Sequence, residues 1–301
     1  MKAAVLVAFG GVDQLEIRDM PEPKLGPGEV KIRNVATSIN PIDWKLREGA
    51  KRPGMTLELP AILGRDAAGV VIEVGAGVTR IRVGAKVAGP VTGGYAERVV
   101  ANEVAWAEVP DSMDLADAAA APTAALTGAE LGDAAIRARP GDLVLVTGAL
   151  GSVGRTAVYA AKARGAHVWA GVRSSQKTAA AALAVEGIVA LDDERVLDQL
   201  PMLDSIADTV GAATTQKLLD KVRRGGCVAT ALDEPAGARE RGIEVRKVWT
   251  RPDAERLAAL LRAIAAGTLV IPIAKRFPLD RIREAQQLAQ HGAGGKVVVE
   301  I

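Results

Sequence analysis

The feature that most constrains the fold is an alternation of short apolar segments with longer alanine-rich segments, which runs from about Leu115 to Val248. The short segments have the length and composition of buried strands, and the longer ones place apolar residues at helical spacing. Strands that alternate with helices are typical of βαβ units, in which the strands lie parallel. This part of the chain therefore predicts a doubly wound α/β domain built on a parallel sheet.

The clearest unit of this region is a strand, a glycine-rich turn and a helix, GDLVLVTGALGSVGRTAVYAAKARG (141–165). In the dinucleotide-binding pattern G-x-G-x-x-G, Ala149 replaces the first glycine, and Gly148 stands one place early. Gly151 falls where a side chain would keep the backbone from a pyrophosphate, and Gly154 where the helix packs closely. The helix N-terminus adds free N–H groups and a positive dipole end. We predict a nucleotide loop, the alternative being an ordinary turn; its residues are Gly148, Ala149, Gly151, Ser152, Val153 and Gly154.

The residues after the next predicted strand, AHVWAGV (166–172), bear on the choice of cofactor. An acid in that place would bind a free ribose 2′-hydroxyl. Here the strand is followed by RSSQK (173–177), which contains no acid. Arg173 can bind a 2′-phosphate with its forked guanidinium, and Lys177 can add a point charge. We therefore predict NADP(H) as cofactor, with Arg173, Ser174 and Lys177 as ligands; the alternative is that both cations are solvated surface charges.

The first hundred residues have a different pattern. Short β-branched segments such as KAAVLVA and AGVVIEVG are separated by clusters of glycine and proline. This pattern predicts a compact, barrel-like β domain. One short helix is expected from about Ile42 to Glu48.

Composition excludes several classes of function. With 38 basic and 36 acidic residues the net charge is only +2, so we expect no nucleic-acid partner. The one cysteine, Cys227, rules out an intrachain disulfide and is expected to be buried, whereas His167 and His291 are expected at the surface. The early apolar run from Ala3 to Phe9 is too short to span a membrane. We expect a cytoplasmic protein without a membrane partner.

Seven segments together resemble one family over essentially the whole chain. They are SINPIDWKLREG (38–49), PAILGRDAAGVVIEVGAGVTRIRVGAKV (60–87), GGYAERVV (93–100), AAAPTAALTGAEL (119–131), RPGDLVLVTGALGSVG (139–154), DTVG (208–211) and GGKVVVEI (294–301). The sequence is similar to zinc-independent medium-chain dehydrogenases/reductases, in the quinone oxidoreductase branch that includes ζ-crystallin.

This resemblance implies a GroES-like β-barrel domain formed by residues 1–117 and 253–301, with a Rossmann NADP(H)-binding domain, residues 118–252, inserted between them. It also implies a cofactor in the cleft between the two domains. The strand GIEVRKV (242–248) at the edge of the Rossmann sheet could pair across a homodimer axis, as in family members.

The sequence departs from the zinc-dependent branch of the same superfamily. Zinc alcohol dehydrogenases have a cysteine ligand where this chain has Asn40, and a G-H-E motif where it has Gly64, Arg65 and Asp66. Without a thiolate or an imidazole there, a tetrahedral catalytic zinc cannot be assembled. We therefore predict no metal, and expect Asp66 to be a structural residue paired with a neighbouring cation.

The resemblance places Asn40 and Thr127 near the nicotinamide, where the Asn40 amide could bind an acceptor carbonyl. The alternative for Asn40 is that it only caps the helix that begins at Pro41. Asp43 could face the cleft or complement the helix dipole, and the structural role is slightly favoured. Backbone contacts to the nicotinamide side are expected at the end of a Rossmann strand, from Asp208, Val210 and Gly211.

The predicted reaction is hydride delivery from NADPH to the conjugated system of a small molecule. Two enzymatic functions remain open, reduction of a quinone and reduction of an α,β-unsaturated ketone or 2-alkenal. A third possibility is an NADPH-binding protein without catalytic activity.

Overall fold

The computed structural model describes residues 1–50 and 57–301 of the chain. Its strands are, in chain order, β1 (Lys2–Leu6), β2 (Leu15–Asp19), β3 (Glu29–Ser38), β4 (Ala61–Ile62), β5 (Asp66–Val74), β6 (Lys86–Pro90), β7 (Arg98–Asn102), β8 (Ala107–Glu108), β9 (Leu143–Thr147), β10 (His167–Val172), β11 (Gly187–Ala190), β12 (Leu203–Asp208), β13 (Val222–Thr230), β14 (Glu244–Lys247), β15 (Ile273–Pro278) and β16 (Lys296–Glu300). Its α-helices are α1 (Pro41–Arg47), α2 (Leu115–Ala118), α3 (Pro122–Glu130), α4 (Ser152–Ala163), α5 (Lys177–Ala180), α6 (Glu194–Asp198), α7 (Ala212–Gln216), α8 (Ala254–Ala265) and α9 (Ile282–Gln290). None of these helices is long and apolar enough to cross a membrane.

The chain forms two compact units. The outer unit consists of residues 1–123 and 252–301, and the inner unit of residues 124–251. The first boundary follows Thr123, and α2, which packs on β3, β5, β6 and β16, belongs to the outer unit. The second boundary lies after Arg251.

The outer unit is largely antiparallel. One sheet has the order β15-β16-β3-β5-β6-β8, with β7 also paired to β3, and a smaller sheet has the order β2-β1-β4. The last strand, β16, pairs antiparallel with β3, so both ends of the chain contribute to one sheet. Alternate residues of β3, among them Val30 and Ile32, are fully buried against Trp106 and its neighbours. This alternation is the expected pattern for a sheet with one face on a core.

The inner unit is built on one parallel sheet, with the strand order β11-β10-β9-β12-β13-β14. The central strands β9 and β12 are buried along nearly their whole length; β9 is almost entirely apolar, as expected for a strand covered on both faces. The predicted α/β fold class, with a doubly wound parallel sheet, is therefore confirmed.

Two helices of the inner unit approach each other very closely. A Cβ atom on Gly128 would lie 2.3 Å from the carbonyl oxygen of Val153, and one on Gly132 would lie 2.2 Å from that of Ala157. Glycine at these two positions therefore lets the backbone of α3 and its continuation touch the first turns of α4. This packing fixes the start of α4, where the predicted nucleotide loop ends.

The sequence pattern predicts helices over Gln176–Val185 and Thr214–Arg223, and both are shorter in the structure. The first reduces to α5 between 3₁₀ turns and ends at Ala184, whose φ is +49°. The second stops at Gln216, and Val222 already belongs to the long strand β13. Local helix propensity does not account for the left-handed conformation at Ala184 or for the pairing of Val222 with Leu203 of β12, and these tertiary features decide where the helices end. Helix α6, which Asp193 caps through a hydrogen bond from the Arg195 N–H at 3.1 Å, was missed.

Candidate active site and cofactor loop

The turn between β9 and α4 has the geometry that its glycines predict. Gly148 adopts a left-handed conformation with φ of +62°, which is accessible to glycine at no cost. The Gly151 N–H then donates to the Gly148 carbonyl at 3.0 Å and closes the turn. Ala149 is fully buried, and its N–H donates to the Gly171 carbonyl at 3.2 Å. Helix α4 begins directly afterwards at Ser152, followed by the half-buried Val153.

Gly151 and Gly154 stand in opposite environments. A Cβ atom on Gly154 would lie 2.2 Å from the Gly148 carbonyl oxygen, so glycine is required there by the packing of the protein itself. A Cβ atom on Gly151 would have a single neighbour, the same oxygen at an ordinary 3.4 Å. Nothing in the described protein therefore requires glycine at position 151. The open space above Gly151 fits a group that approaches the backbone from outside.

Arg155 lies in the first turn of α4 and carries a positive charge close to the positive end of the helix dipole. Its Nε donates to the Leu150 carbonyl at 3.0 Å, and no carboxylate among the described residues pairs with it. Partial burial lowers the pKa of this guanidinium. An anion bound at the loop would offset the repulsion between Arg155 and the helix dipole and the partial burial of its charge. This side chain therefore also fits a phosphate site.

The carboxyl end of β10 holds Arg173, Ser174 and Lys177, and all three are exposed. Neither cation forms an ion pair within the described residues. The structure adds an acid here: Asp192 follows β11, the parallel neighbour of β10, and accepts hydrogen bonds from the Ser174 N–H at 2.7 Å and the Ser174 hydroxyl at 2.8 Å. Asp192 is not apparent from the residues that directly follow β10, because it follows the neighbouring strand β11.

Asp208 is fully buried at the end of β12. Its Oδ1 accepts hydrogen bonds from the Thr147 hydroxyl at 2.9 Å and from the Val210 and Gly211 N–H groups at 3.2 and 3.1 Å. Its Oδ2 accepts from the Thr230 hydroxyl at 2.9 Å. The carboxylate thus joins the ends of three neighbouring strands, and both of its oxygens accept hydrogen bonds from within the protein. The adjacent Val210 is exposed, and Gly211 has a φ of +122°.

Thr127 lies on α3 in the inner unit and is nearly buried. Its hydroxyl forms a short hydrogen bond with the hydroxyl of Thr250, which follows β14. The contact fixes the Thr127 side chain, and the exposed Trp249 is the neighbour of Thr250 in the chain.

In the outer unit, Asn40 and Asp66 surround a buried ammonium group. Lys296, only 7% exposed, donates from Nζ to the Asn40 Oδ1 at 2.8 Å and the Ile39 carbonyl at 3.1 Å, and lies 3.4 Å from the Asp66 Oδ2. The Asn40 Nδ2 donates to the same Asp66 oxygen at 2.7 Å and to the Ser38 carbonyl at 3.5 Å. The orientation of the Asn40 amide is therefore fixed by a cation on one side and an anion on the other. The expectation that Asp66 pairs with a neighbouring cation is confirmed.

Asp43 lies one turn into α1 and is fully buried. Its Oδ2 accepts the Asn40 N–H at 2.8 Å, so Asn40 is the N-cap of this helix and Asp43 has a structural partner. Its Oδ1 has no hydrogen-bond partner among the described residues. Burial raises the pKa of the Asp43 carboxyl to about 7; the hydrogen bond from Asn40 opposes this shift, and the charge of Asp66 adds to it. Asp43 is thus a buried group that gains or loses its proton near neutral pH.

Tyr95 faces Asp43 and continues this buried network. Burial and the nearby Asp43 carboxylate raise the pKa of the Tyr95 phenol well above its usual value. The phenol oxygen accepts a hydrogen bond from Gln286 at 3.4 Å, and Gln286 in turn accepts one from Arg47 at 2.7 Å. Tyr95 therefore stays neutral and links α1 to α9.

Comparison with known proteins agrees with this architecture. The family model "Alcohol dehydrogenase GroES-like domain" matches residues 26–111, and the model "Zinc-binding dehydrogenase" matches residues 183–299. A chloroplast envelope quinone oxidoreductase homolog from Arabidopsis thaliana is 30% identical over 332 residues, covering 97% of this chain and 95% of the relative. The chain belongs to the medium-chain dehydrogenase/reductase superfamily, in its quinone oxidoreductase branch.

Two further relatives support the same assignment. A 2-haloacrylate reductase from a Burkholderia species is 30% identical over 327 residues, covering 99% of this chain and 97% of the relative. The solved structure of the quinone oxidoreductase from Coxiella burnetii has a TM-score of 0.90 at 27% identity, covering 100% of this chain and 99% of that chain. The predicted GroES-like and Rossmann domains are confirmed, and the chain is an oxidoreductase of this superfamily.

The donor set of this superfamily member does not fit a catalytic zinc ion. The position of the cysteine ligand holds Asn40, and its carbonyl oxygen already accepts a hydrogen bond from Lys296. The Asp66 carboxylate contacts the same ammonium. Oxygen donors that already surround a cation, without thiolate or imidazole, do not form a tetrahedral zinc site. Within residues 1–50 and 57–301 no cluster of three or more histidine, cysteine, aspartate or glutamate side chains is placed to hold a metal.

Three residues at these two sites were missed from the sequence. Lys296 is 256 positions from Asn40, and no local pattern signals their contact. Asp192 could have been found from the order of the parallel strands, since β10 and β11 end side by side. Arg155 directly follows the glycine pattern, and its charge against the helix dipole was a usable signal. The expected burial of Cys227 and exposure of His167 and His291 are confirmed.

Proposed function

We propose that this chain is a zinc-independent, NADPH-dependent oxidoreductase that reduces a quinone. The contrast between Gly151 and Gly154 is the observation that carries the cofactor part of this proposal. Gly154 is needed by the fold, whereas Gly151 leaves a space that the described protein does not use. The backbone N–H groups of Ser152 and Val153, in the first turn of α4, would bind the pyrophosphate there, beside the backbone of Gly148, Ala149 and Gly151.

A pair of alanine substitutions tests the loop. Gly151→Ala should leave the free energy of unfolding within about 0.5 kcal/mol of the native value and lower NADPH affinity about tenfold or more. Gly154→Ala is the matched control, because its methyl group would meet the Gly148 carbonyl; it should destabilise the protein by about 2 kcal/mol. Native affinity in a folded Gly151→Ala variant would contradict the proposed loop.

The preference for NADPH rests on Arg173 and Lys177, which are exposed and without ion pairs among the described residues. Charge-assisted hydrogen bonds to a 2′-phosphate are worth about 1.5–3 kcal/mol each. Arg173→Ala should therefore raise the KM for NADPH at least about tenfold and leave that for NADH nearly unchanged. Equal effects on both cofactors would contradict the assignment.

At the acceptor side, Asn40 and Thr127 are the proposed contacts. A bound nicotinamide supplies the hydride when the cofactor is present. Lys296 and Asp66 hold the Asn40 amide in one orientation, and its N–H toward Ser38, at 3.5 Å, is the weaker bond that an acceptor carbonyl can replace. Asp43, fully buried, acts through the conformation of Asn40 rather than on the acceptor. Asp208 serves the inner unit in the same way by holding Val210 and Gly211 in place for backbone contacts.

Reduction of an activated carbon–carbon double bond is the second candidate, and the 2-haloacrylate reductase relative favours it. The loss of NADPH absorbance with a benzoquinone, an ortho-quinone, an enone and a 2-alkenal separates the two. Turnover of quinones supports the first function, and turnover of the enone or alkenal alone supports the second. NADPH binding without turnover on the whole panel would instead indicate a non-catalytic NADPH-binding protein.

We also propose a homodimer in the cytoplasm. Strand β14 is the last strand of the parallel sheet, and an unpaired strand edge can pair with a second copy of the chain. Light scattering coupled to size-exclusion chromatography measures the mass directly. A monomer across the micromolar range would contradict this part of the proposal.

A further inference from the structure

The carboxylate of Asp192 lies where the sequence alone had indicated only cations and hydroxyls. Asp192 is exposed, and both of its hydrogen bonds from Ser174 go to the same oxygen, Oδ1. The described part of the chain supplies no hydrogen bond from another residue to Oδ2. One oxygen therefore holds the turn after β10, and the other is free to meet a ligand.

The charge of this group is secure at neutral pH. The two hydrogen bonds from Ser174 are the main cause that lowers the pKa of the Asp192 carboxyl, and the positive charge of Arg173 acts in the same direction. Arg173, which is proposed to bind the 2′-phosphate of NADPH, directly precedes Ser174 in the chain. A negative charge is thus fixed among the residues that would have to attract a phosphate.

NADPH and NADH differ at the 2′ position of the adenosine ribose, and a carboxylate interacts differently with the two. NADPH carries a phosphate on its adenosine ribose, which an adjacent carboxylate repels. NADH carries a hydroxyl there, which a carboxylate accepts as a hydrogen-bond donor. Arg173 and Lys177 attract the phosphate. The preference of the site for NADPH over NADH therefore depends on the balance between the attraction from these two cations and the repulsion from Asp192.

We propose that Asp192 is a specificity-determining residue, which weakens the binding of NADPH through its free carboxylate oxygen and so allows the site to use NADH as well. This inference rests on the proposed cofactor site, and it predicts dual use rather than strict NADPH dependence. The geometry that carries it is the parallel end of β10 and β11, which brings Asp192 onto Ser174.

The test is the substitution Asp192→Asn, which keeps an acceptor oxygen for Ser174 and removes the charge. The ratio of kcat/KM for NADPH to that for NADH should rise about tenfold, mainly through NADPH. Asp193→Asn is the matched control: it removes the same charge one residue away, and Asp193 caps α6 through the Arg195 N–H. This control should change the ratio by less than about twofold.

An unchanged ratio in Asp192→Asn, a lower ratio, or an equal rise in both variants would each overturn the inference. The dissociation constants of NADPH and NADH, measured by nucleotide fluorescence, provide the same ratio if no acceptor turns over. The native ratio tests the proposed NADPH preference separately. A native enzyme that favours NADH would contradict that preference, while a rise in Asp192→Asn would still support the role of Asp192.

Discussion

Two fully buried carboxylates, one in each unit, are satisfied in different ways. Asp66 in the outer unit accepts hydrogen bonds from Ser38 at 2.6 Å, Asn40 at 2.7 Å and Thr123 at 2.8 Å, and it also contacts the Lys296 ammonium. Asp208 in the inner unit accepts only from hydroxyls and backbone N–H groups among the described residues. A buried charge can therefore be held either by a counter-ion or by several neutral donors.

The difference follows from where the partners lie in the chain. The donors to Asp208 come from the ends of adjacent parallel strands, which the sheet brings together in any case. The cation beside Asp66 is Lys296 of β16, 230 positions later in the chain. It reaches Asp66 because β16 pairs with β3 in the larger sheet of the outer unit. Asp66 thus has one partner 230 positions away in the chain, whereas every donor to Asp208 among the described residues lies within 61 positions of it.

Removal of the cation should give the largest effect. Lys296→Met leaves Asp66 buried without its counter-ion and frees the Asn40 amide, so we expect a loss of about 3–5 kcal/mol in the free energy of unfolding. Urea denaturation measures this loss. The double variant Lys296→Met with Asp66→Asn should recover part of it, because no uncompensated charge remains. Simple addition of the two single effects would contradict an ion pair.

Asp43 is a third buried carboxyl, which among the described residues has no cation in contact and has one oxygen, Oδ1, without a hydrogen-bond partner. Its pKa is raised from 3.8 to about 7, so the folded chain binds more protons than the unfolded chain between these values. Its contribution to stability is therefore fully present below pH 4 and is lost as the pH rises toward 7. Relative to Asp43→Asn, the native chain should lose about 4 kcal/mol over this interval.

Urea titrations of the native protein and Asp43→Asn between pH 4 and pH 8 measure this difference. Asparagine keeps an oxygen for the Asn40 N–H and places an amide toward the Tyr95 phenol, so the variant should fold. A difference that does not change with pH would show that Asp43 is not the group responsible.

Local signals predicted much of the inner unit. The strand 143–147 and the helix from Ser152 agree with the structure because strand, turn and helix are encoded by consecutive residues. The predicted helices 176–185 and 214–223 extend beyond the observed ones, because local helix propensity does not reveal the left-handed conformation at Ala184 or the pairing of Val222 with β12. The assembly of the outer unit from two separate segments of the chain was predicted only by the family resemblance. Short strands with partners far away in the chain carry little local information.

The site was less predictable than the fold. Gly151 and Gly154 could be assigned because their roles depend on neighbours a few residues away. Lys296 and Asp192 act through contacts between distant segments, and a lysine near the chain end or an aspartate after a strand has no distinctive pattern. Prediction from the sequence is limited here because tertiary contacts, rather than the spacing of residues along the chain, determine which charges pair in a buried site.

The smallest effects are expected when a single hydroxyl donor to each carboxylate is removed. These two substitutions compare a carboxylate that has a counter-ion directly with one that has only neutral donors. Ser38→Ala removes a donor to Asp66, and Thr230→Val removes a donor to Asp208 at nearly constant volume. Asp66 keeps its cation, so Ser38→Ala should cost about 1 kcal/mol. Thr230→Val should cost about 2 kcal/mol, because Asp208 has no cation among the described residues and the Leu232 N–H also loses its acceptor. Urea denaturation of both variants gives the comparison, and a larger loss in Ser38→Ala would show that the counter-ion does not protect Asp66.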